Sequence, residues 1–270
     1  DALPICLEKE IDILPTKEIE KNENSIFRNI KPIANSIEQE ENLELEKKMV
    51  FGIFDPEENN LSINMWENSD GKIVMDQLKK IENINLSKDA EEILYTVLFT
   101  NSYPPQENIN PNIFISYKSE WLIKKKKINL IKTYLEKNPK LNEKSELIKF
   151  LINEHLSESD VSGACEQIKF SNKNNESEYL EKFRIFCLIN DQKIEEAQLQ
   201  YDLLIENGLN DTFFDKKINF LLGYTENPDN KTSDINLFNF YLSHHVNSEF
   251  VYEPNEKTSK YIWKYMSSAN

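Results

Sequence analysis

The sequence predicts a predominantly all-α fold: a solenoid of stacked antiparallel helix pairs preceded by an extended arm. Three observations predict it. The 270 residues include only 5 Gly and 10 Pro, too few for the closely spaced turns of a β-sandwich. Beyond Gly71, apolar residues return every three or four positions through successive windows, the period of a helix with one buried face. A pattern at the turn between two candidate helices also recurs after about 66 residues, twice a helical-repeat period of about 33.

Residues 1–49 carry Pro4, Pro15 and Pro32 among Lys and Glu, and read as an extended or partly helical arm. The acidic stretch from Ile37 to Met49 reads as a solvated face. Residues 50–71 read as a packed loop or short strand. Phe51, Ile53 and Phe54 precede Asp55-Pro56, and Leu61, Ile63, Met65 and Trp66 nearly alternate before Gly71, which closes the segment.

Residues 72–270 read as the helical-repeat domain. Val74, Leu78 and Ile81 mark one helix; Ile93, Leu94, Val97 and Leu98 mark the next, with Ser87 as its N-cap and Pro104-Pro105 beyond it. Asn110-Pro111 reads as an N-cap followed by proline at the first helical position, and opens a helix over 111–124 with the stripe Phe114, Tyr117, Trp121 and Leu122. A helix with Ile128, Ile131 and Leu135 ends at Asn138-Pro139, and another carries Leu147, Ile148, Leu151, Ile152 and His155. Ser157 with Asp160, and Asn175 with Glu178, have the spacing of capping pairs, bracketing a helix with Val161, Ala164, Cys165 and Ile168. Tyr179, Phe183 and Phe186 follow, then Ile194, Ala197, Tyr201 and Leu204 up to the stop Asn207-Gly208. Phe213, Phe214, Ile218, Leu221 and Leu222 give another helix before Gly223. Ile235, Phe238, Tyr241 and Leu242 begin one more, and Tyr261, Ile262 and Tyr265 mark the last. That last stripe has no evident partner, so the helical array is expected to continue past residue 270. A first residue of Asp rather than Met leads us to expect a processed or shortened start.

The repeat is read from Trp121-Leu122-Ile123 before Lys127-Ile128, and Cys187-Leu188-Ile189 before Lys193-Ile194. His155-Leu156 with Val161 lies half-way, and Phe220-Leu221-Leu222 one period further. The period is close to that of tetratricopeptide repeats, although their Trp-Leu-Gly-Tyr consensus is only partly present. In addition, Phe51-Gly-Ile-Phe-Asp-Pro56, the segment Leu61 to Trp66, and Leu98-Phe-Thr-Asn-Ser-Tyr-Pro-Pro105 with the helix pairs that follow resemble a family of alphaproteobacterial helical-repeat proteins over about residues 50–250. The resemblance implies an exported or envelope-associated, periplasmic protein with a variable N-terminal arm. It carries over no catalytic residue.

The formal net charge of −15 argues against binding nucleic acid through phosphate neutralisation or an anionic bilayer through basic residues. No apolar run approaches the roughly 20 residues that span a bilayer. The 3 cysteines, Cys6, Cys165 and Cys187, have no metal-site spacing. A Cys165–Cys187 bridge is compatible with the sequence but not required by it.

The sequence singles out no catalytic, cofactor-binding or metal-ligating residue, and no cofactor is expected. Adjacent helical residues point about 100° apart, so His244 and His245 read as surface or helix-end histidines rather than joint ligands. His155 lies on an apolar stripe and reads as a core or interface residue. The basic run Lys124 to Lys127 reads as a solvated turn. Glycine-rich phosphate loops are absent from the sequence.

The expectation is a non-enzymatic interaction or scaffold protein of a cell-envelope assembly, with a protein or peptide partner, since stacked helix pairs build a long binding surface without reactive groups. The alternatives are a helical accessory region of a cell-wall-acting enzyme, or a self-assembling subunit whose arm, through Leu3, Leu7, Ile11 and Leu14, reaches a second copy.

Overall fold

The computed structural model describes residues 50–142, 144–172, 177–247 and 249–269. The arm over residues 1–49 and the cap candidate Asn175 lie outside them. The described residues form an all-helical unit with no β-strand.

Eleven α-helices follow in order among the described residues: α1 (Gly71–Glu82), α2 (Lys88–Phe99), α3 (Pro111–Lys124), α4 (Ile128–Lys137), α5 (Ser145–Ser157), α6 (Val161–Glu166), α7 (Glu178–Asn190), α8 (Ile194–Glu206), α9 (Thr212–Leu221), α10 (Leu237–His245) and α11 (Lys260–Ser268). Ser87 caps α2 by accepting from the Ala90 amide, and Asn110 caps α3 with Pro111 at its first position. Each cap satisfies an amide that the first turn leaves without a helical partner.

Successive helices α3–α4, α5–α6 and α7–α8 touch as neighbours. Helix α5 also meets α3, α7, α10 and α11. Its residues Leu147, Ile148, Leu151, Ile152 and Leu156 are fully buried. Ile262 and Tyr265, the α11 residues without a partner in the sequence reading, are buried against the same core. Glu154 ties α11 to α5, accepting from the Tyr261 hydroxyl at 3.1 Å and from Lys264 at 3.3 Å.

The turns within the three pairs are built alike. Lys126, Ser159 and Gln192, spaced by 33 residues, all have positive φ of 50°, 61° and 62°. Around each, two amides close the preceding helix in the same way. Lys126 donates to the Ile123 carbonyl and Lys127 to Leu122; Ser159 donates to Leu156 and Asp160 to His155; Gln192 donates to Ile189 and Lys193 to Leu188. This is the hydrogen-bond pattern of a Schellman turn, in which glycine is the favoured residue at the left-handed position. Here none of the three is glycine.

Residues 50–54 form no strand. They lie as an irregular segment against the loop after α2, with a single bridge between Phe54 and Thr100; a second isolated bridge joins Asp70 to Glu107. Asn138 holds them, its side chain accepting from the Gly52 amide at 3.2 Å and donating to the Gly52 carbonyl at 2.8 Å. A Cβ at residue 52 would stand 2.7 Å from the Phe99 carbonyl oxygen, so the approach needs glycine. Lys118 reaches the Phe51 carbonyl at 2.9 Å and Lys137 the Ile53 carbonyl at 2.6 Å.

Five local expectations are corrected. Gly71 begins α1 instead of closing the preceding segment, because Asp70 caps the helix by accepting from the Ile73 amide. Asp160 alone caps α6, accepting from the Gly163 amide, whereas Ser157 is buried in the last turn of α5 and donates to the Glu154 carbonyl. The helix expected through Ile168 tightens into a 3₁₀ turn over Gln167–Phe170. Ile235 is 85% exposed and precedes α10, whose cap is Asn236. Ile93 is likewise exposed, the buried face of α2 being Leu98 and Phe99.

Two stability measurements test this account. Lys118 is 1% exposed, and burial pulls its ammonium down from 10.5 to about 7. Between those values the unfolded chain binds more protons, so this residue makes stability rise with pH from about 7 to 9.5, by up to ~1.4 kcal/mol per unit. Urea titrations should show that slope in the wild type and its loss in Lys118→Met. Separately, Gln192→Gly relieves a left-handed non-glycine residue at an exposed turn, and should stabilise the protein by about 0.5–1 kcal/mol in the same assay. An unchanged or lower midpoint would contradict the turn geometry.

Candidate functional site

The candidate site is a groove formed where α6, α7 and α8 meet. It holds a cavity of about 700 Å³, lined by residues that include Cys165, Ile168, Lys169, Arg184, Leu188 and Leu199. A smaller cavity of about 250 Å³ adjoins it, sharing Arg184 and Gln200 and adding Leu203. The larger volume lies in the range of sites that enclose a small molecule or a few side chains of a peptide.

One wall comes from α8. Its inner face is Ala197, Tyr201 and Leu204, all buried. Its outer face repeats apolar residues four apart, with Leu199 59% and Leu203 43% exposed. Residues four apart on a helix stand one above the other, so these leucines make an unburied apolar edge.

The other wall is held by a disulfide. Cys165 on α6 and Cys187 on α7 are bonded, with Cα atoms 5.6 Å apart, and both line the cavity. The bridge that the sequence left open is therefore present, and it fixes α6 to α7 beside the groove. Helix α6 is a single short stretch of six residues, and helices of that length do not hold themselves together without tertiary ties.

Charge is mixed along the rim. Lys169 pairs with Glu166 at 2.8 Å; this bond holds the Glu166 carboxyl below its usual value and raises the Lys169 ammonium. Arg184 donates to the Ser171 hydroxyl at 2.8 Å, and Ser162, Asp191, Glu196 and Gln200 complete the polar lining.

His155 stands at the end of α5, outside the groove lining. Its Nδ1 is 2.8 Å from Asp160 Oδ2 and its Nε2 is 3.3 Å from Lys132 Nζ. The Gly163 amide and His155 together hold the Asp160 carboxyl below its usual value. A Cβ on Gly163 would meet Asp160 Oδ2 at 2.0 Å, so glycine is what lets the carboxylate cap α6 and face the histidine at once. A carboxylate orienting a histidine is half of a nucleophile-activating arrangement. Here, however, the second ring nitrogen faces an ammonium group rather than a hydroxyl or thiol.

His244 and His245 end α10 and face different partners. His244 Nδ1 lies 2.8 Å from the Tyr265 hydroxyl, and His245 stacks on Tyr241. Burial, helped by the neighbouring His244, lowers the pKa of His245. Among the described residues no three His, Cys, Asp or Glu side chains are grouped to hold a metal ion. Lys124 and Lys125 are not only solvated: they pair with Glu82 of α1 at 2.5 Å and Glu91 of α2 at 3.3 Å.

Sequence reasoning missed Leu199, Leu203 and Arg184. The leucine pair was detectable as a second apolar row on a helix whose buried row was already assigned. Arg184 carried no local signal, because the cavity it lines is made by three helices. Among the described residues no helix is long and apolar enough to cross a membrane. No protein-family model matches the chain, and no curated protein or solved structure does either.

The bridge generates a prediction. It closes a loop of sequence separation 22, for which chain entropy gives about 3 kcal/mol. Replacing both cysteines by serine should lower unfolding stability by roughly that amount, and hydrogen exchange should speed up first in α6. Uniform loss across the chain would count against a local tie.

Proposed function

We propose that the protein is a non-enzymatic interaction protein that takes a peptide or a helix of a partner protein into the groove between α6, α7 and α8. The observation that carries this reading is the exposed Leu199–Leu203 edge beside a cavity of about 700 Å³. An amphipathic helix docks by laying apolar residues three and four apart into such a groove, and the mixed charges at the rim suit a partner with both signs.

The architecture supports this reading. Three helix pairs with matching turns 33 residues apart suit a short solenoid of tetratricopeptide-like units, with α10 and α11 laid on α5 of the middle pair. Such stacks present concave surfaces to peptides. We also infer an oxidising compartment, the periplasm or cell envelope, from the Cys165–Cys187 bridge, because reducing compartments rarely keep structural disulfides. The sequence resemblance to envelope-associated helical-repeat proteins points the same way. Nucleic acid is a poor partner for a chain of net charge −15.

The test is capture from envelope and cytosolic fractions with the tagged protein, followed by titration of the purified partner. Leu199→Asp should weaken binding at least tenfold, since it puts a charge into the apolar contact. Ile93→Asp, at an equally exposed site on α2, should leave binding within about twofold. Equal binding by both variants would remove the groove from the interaction.

A further inference from the structure

Each of the three matched turns places a charged residue directly before its left-handed position, where the first helix of the pair closes: Lys125 after α3, Glu158 after α5 and Asp191 after α7. The first two are ion-paired to another helix. Lys125 meets Glu91 of α2 at 3.3 Å, and Glu158 meets Lys264 of α11 at 2.9 Å. Asp191 has no cationic partner among the described residues, and it lines the groove. Its place is adverse, because the C-terminal end of a helix already carries partial negative charge. Glu158 stands in the same position, and there Lys264 supplies the offset.

The seat of α11 on α5 is an internal example of an occupied face. Lys264 lies 3.3 Å from Glu154 as well as close to Glu158, and Ile262 and Tyr265 beside it are buried. A docked helix there offers one ammonium group to the closing turn and apolar side chains around it. At the 33-residue spacing of the turns, Glu154 and Glu158 correspond to Cys187 and Asp191, and both of these line the groove. Where α5 carries a helix, α7 borders a cavity.

The other wall continues the same sign. Glu196 lies three residues before Leu199 and seven before Leu203 on α8, so one face of that helix runs from a carboxylate to an apolar row. Glu196 also has no cationic partner among the described residues, and both carboxylates are exposed. The cations of the lining are engaged elsewhere, Lys169 with Glu166 and Arg184 with Ser171. One end of the groove therefore holds uncompensated negative charge next to an apolar edge.

We infer that the groove takes an amphipathic helix of a partner protein that sets a lysine or arginine against Asp191 and Glu196, as Lys264 is set against Glu154 and Glu158, and lays its apolar residues on Leu199 and Leu203. The inference rests on the groove reading proposed above and adds the sign of the partner at one end. An acidic residue at that end is repelled, so the two carboxylates act as a selector as well as an anchor.

The test is fluorescence anisotropy on the full chain at about 0.15 M salt with three labelled synthetic peptides. They share one row of leucines at helical spacing and differ only at one end, which carries two lysines, two glutamines or two glutamates. The lysine peptide should bind about tenfold more tightly than the glutamate peptide, with the glutamine peptide between them. The double exchange Asp191→Asn with Glu196→Gln, at two exposed positions, should bring the three within about threefold and leave the glutamine peptide unchanged. Leu199→Asp should weaken all three. If Leu199→Asp weakens binding but the charge order is absent, or survives the double exchange, the partner's sign is overturned and the groove reading stands. If no peptide binds, or Leu199→Asp changes nothing, the groove reading falls and this inference falls with it.

Discussion

The structure depends on the burial of α5. A helix of 13 residues that is apolar on one face needs one neighbour, but α5 is buried on most of its sides, with Leu147, Ile148, Phe150, Leu151, Ile152 and Leu156 all covered. Covering it takes α3, α6 and α7 from the middle of the chain and α10 and α11 from its far end. The polar positions that remain are put to use: Glu154 receives the Tyr261 hydroxyl and Lys264 from α11. The carbonyl of Ser157 accepts from Ser268. A helix with so broad an apolar face is a core element rather than a surface one, and the rest of the unit is arranged to dry it.

What the sequence made legible follows from the range of the physics. Helix starts with a side-chain cap were read closely, as Asn110-Pro111 and Ser87 show, because a cap bonds to amides two or three residues away and so is written locally. The left-handed turns at Lys126, Ser159 and Gln192 were invisible as residues, since no glycine marks them. They were nevertheless implied by the recurrence of apolar residues before and after each turn. The misreadings have the same origin. Ser157 has the right spacing for a cap, but its hydroxyl bonds backwards within α5, and only the position of Asp160 shows which side chain reaches the new helix.

The candidate groove was less legible. Its wall of Leu199 and Leu203 is a local pattern, but its volume is created by the way α6 is drawn against α7, and the Cys165–Cys187 bridge that does this was one of several outcomes open to the sequence. The aromatic packing around Phe240 was less legible still: Phe240, Phe250, Tyr252 and Tyr265 are spread over 26 residues of chain, and the angles between their rings come from a loop held by Asp234, Asn255 and Thr258.

The grip on residues 51–53 also decides how load enters the molecule. Asn138, Lys118 and Lys137 hold three consecutive residues, Gly52, Phe51 and Ile53, by their backbone atoms, while Lys264 and Ser268 hold the opposite end of the described chain on α5. Tension applied along the polypeptide from either side therefore meets α3, α4 and α5 before it reaches α7 and α8. Of the helices that form the groove, α6 packs most closely on the loaded α5, so pulling on both ends strains the centre of the unit before it distorts the α7–α8 wall.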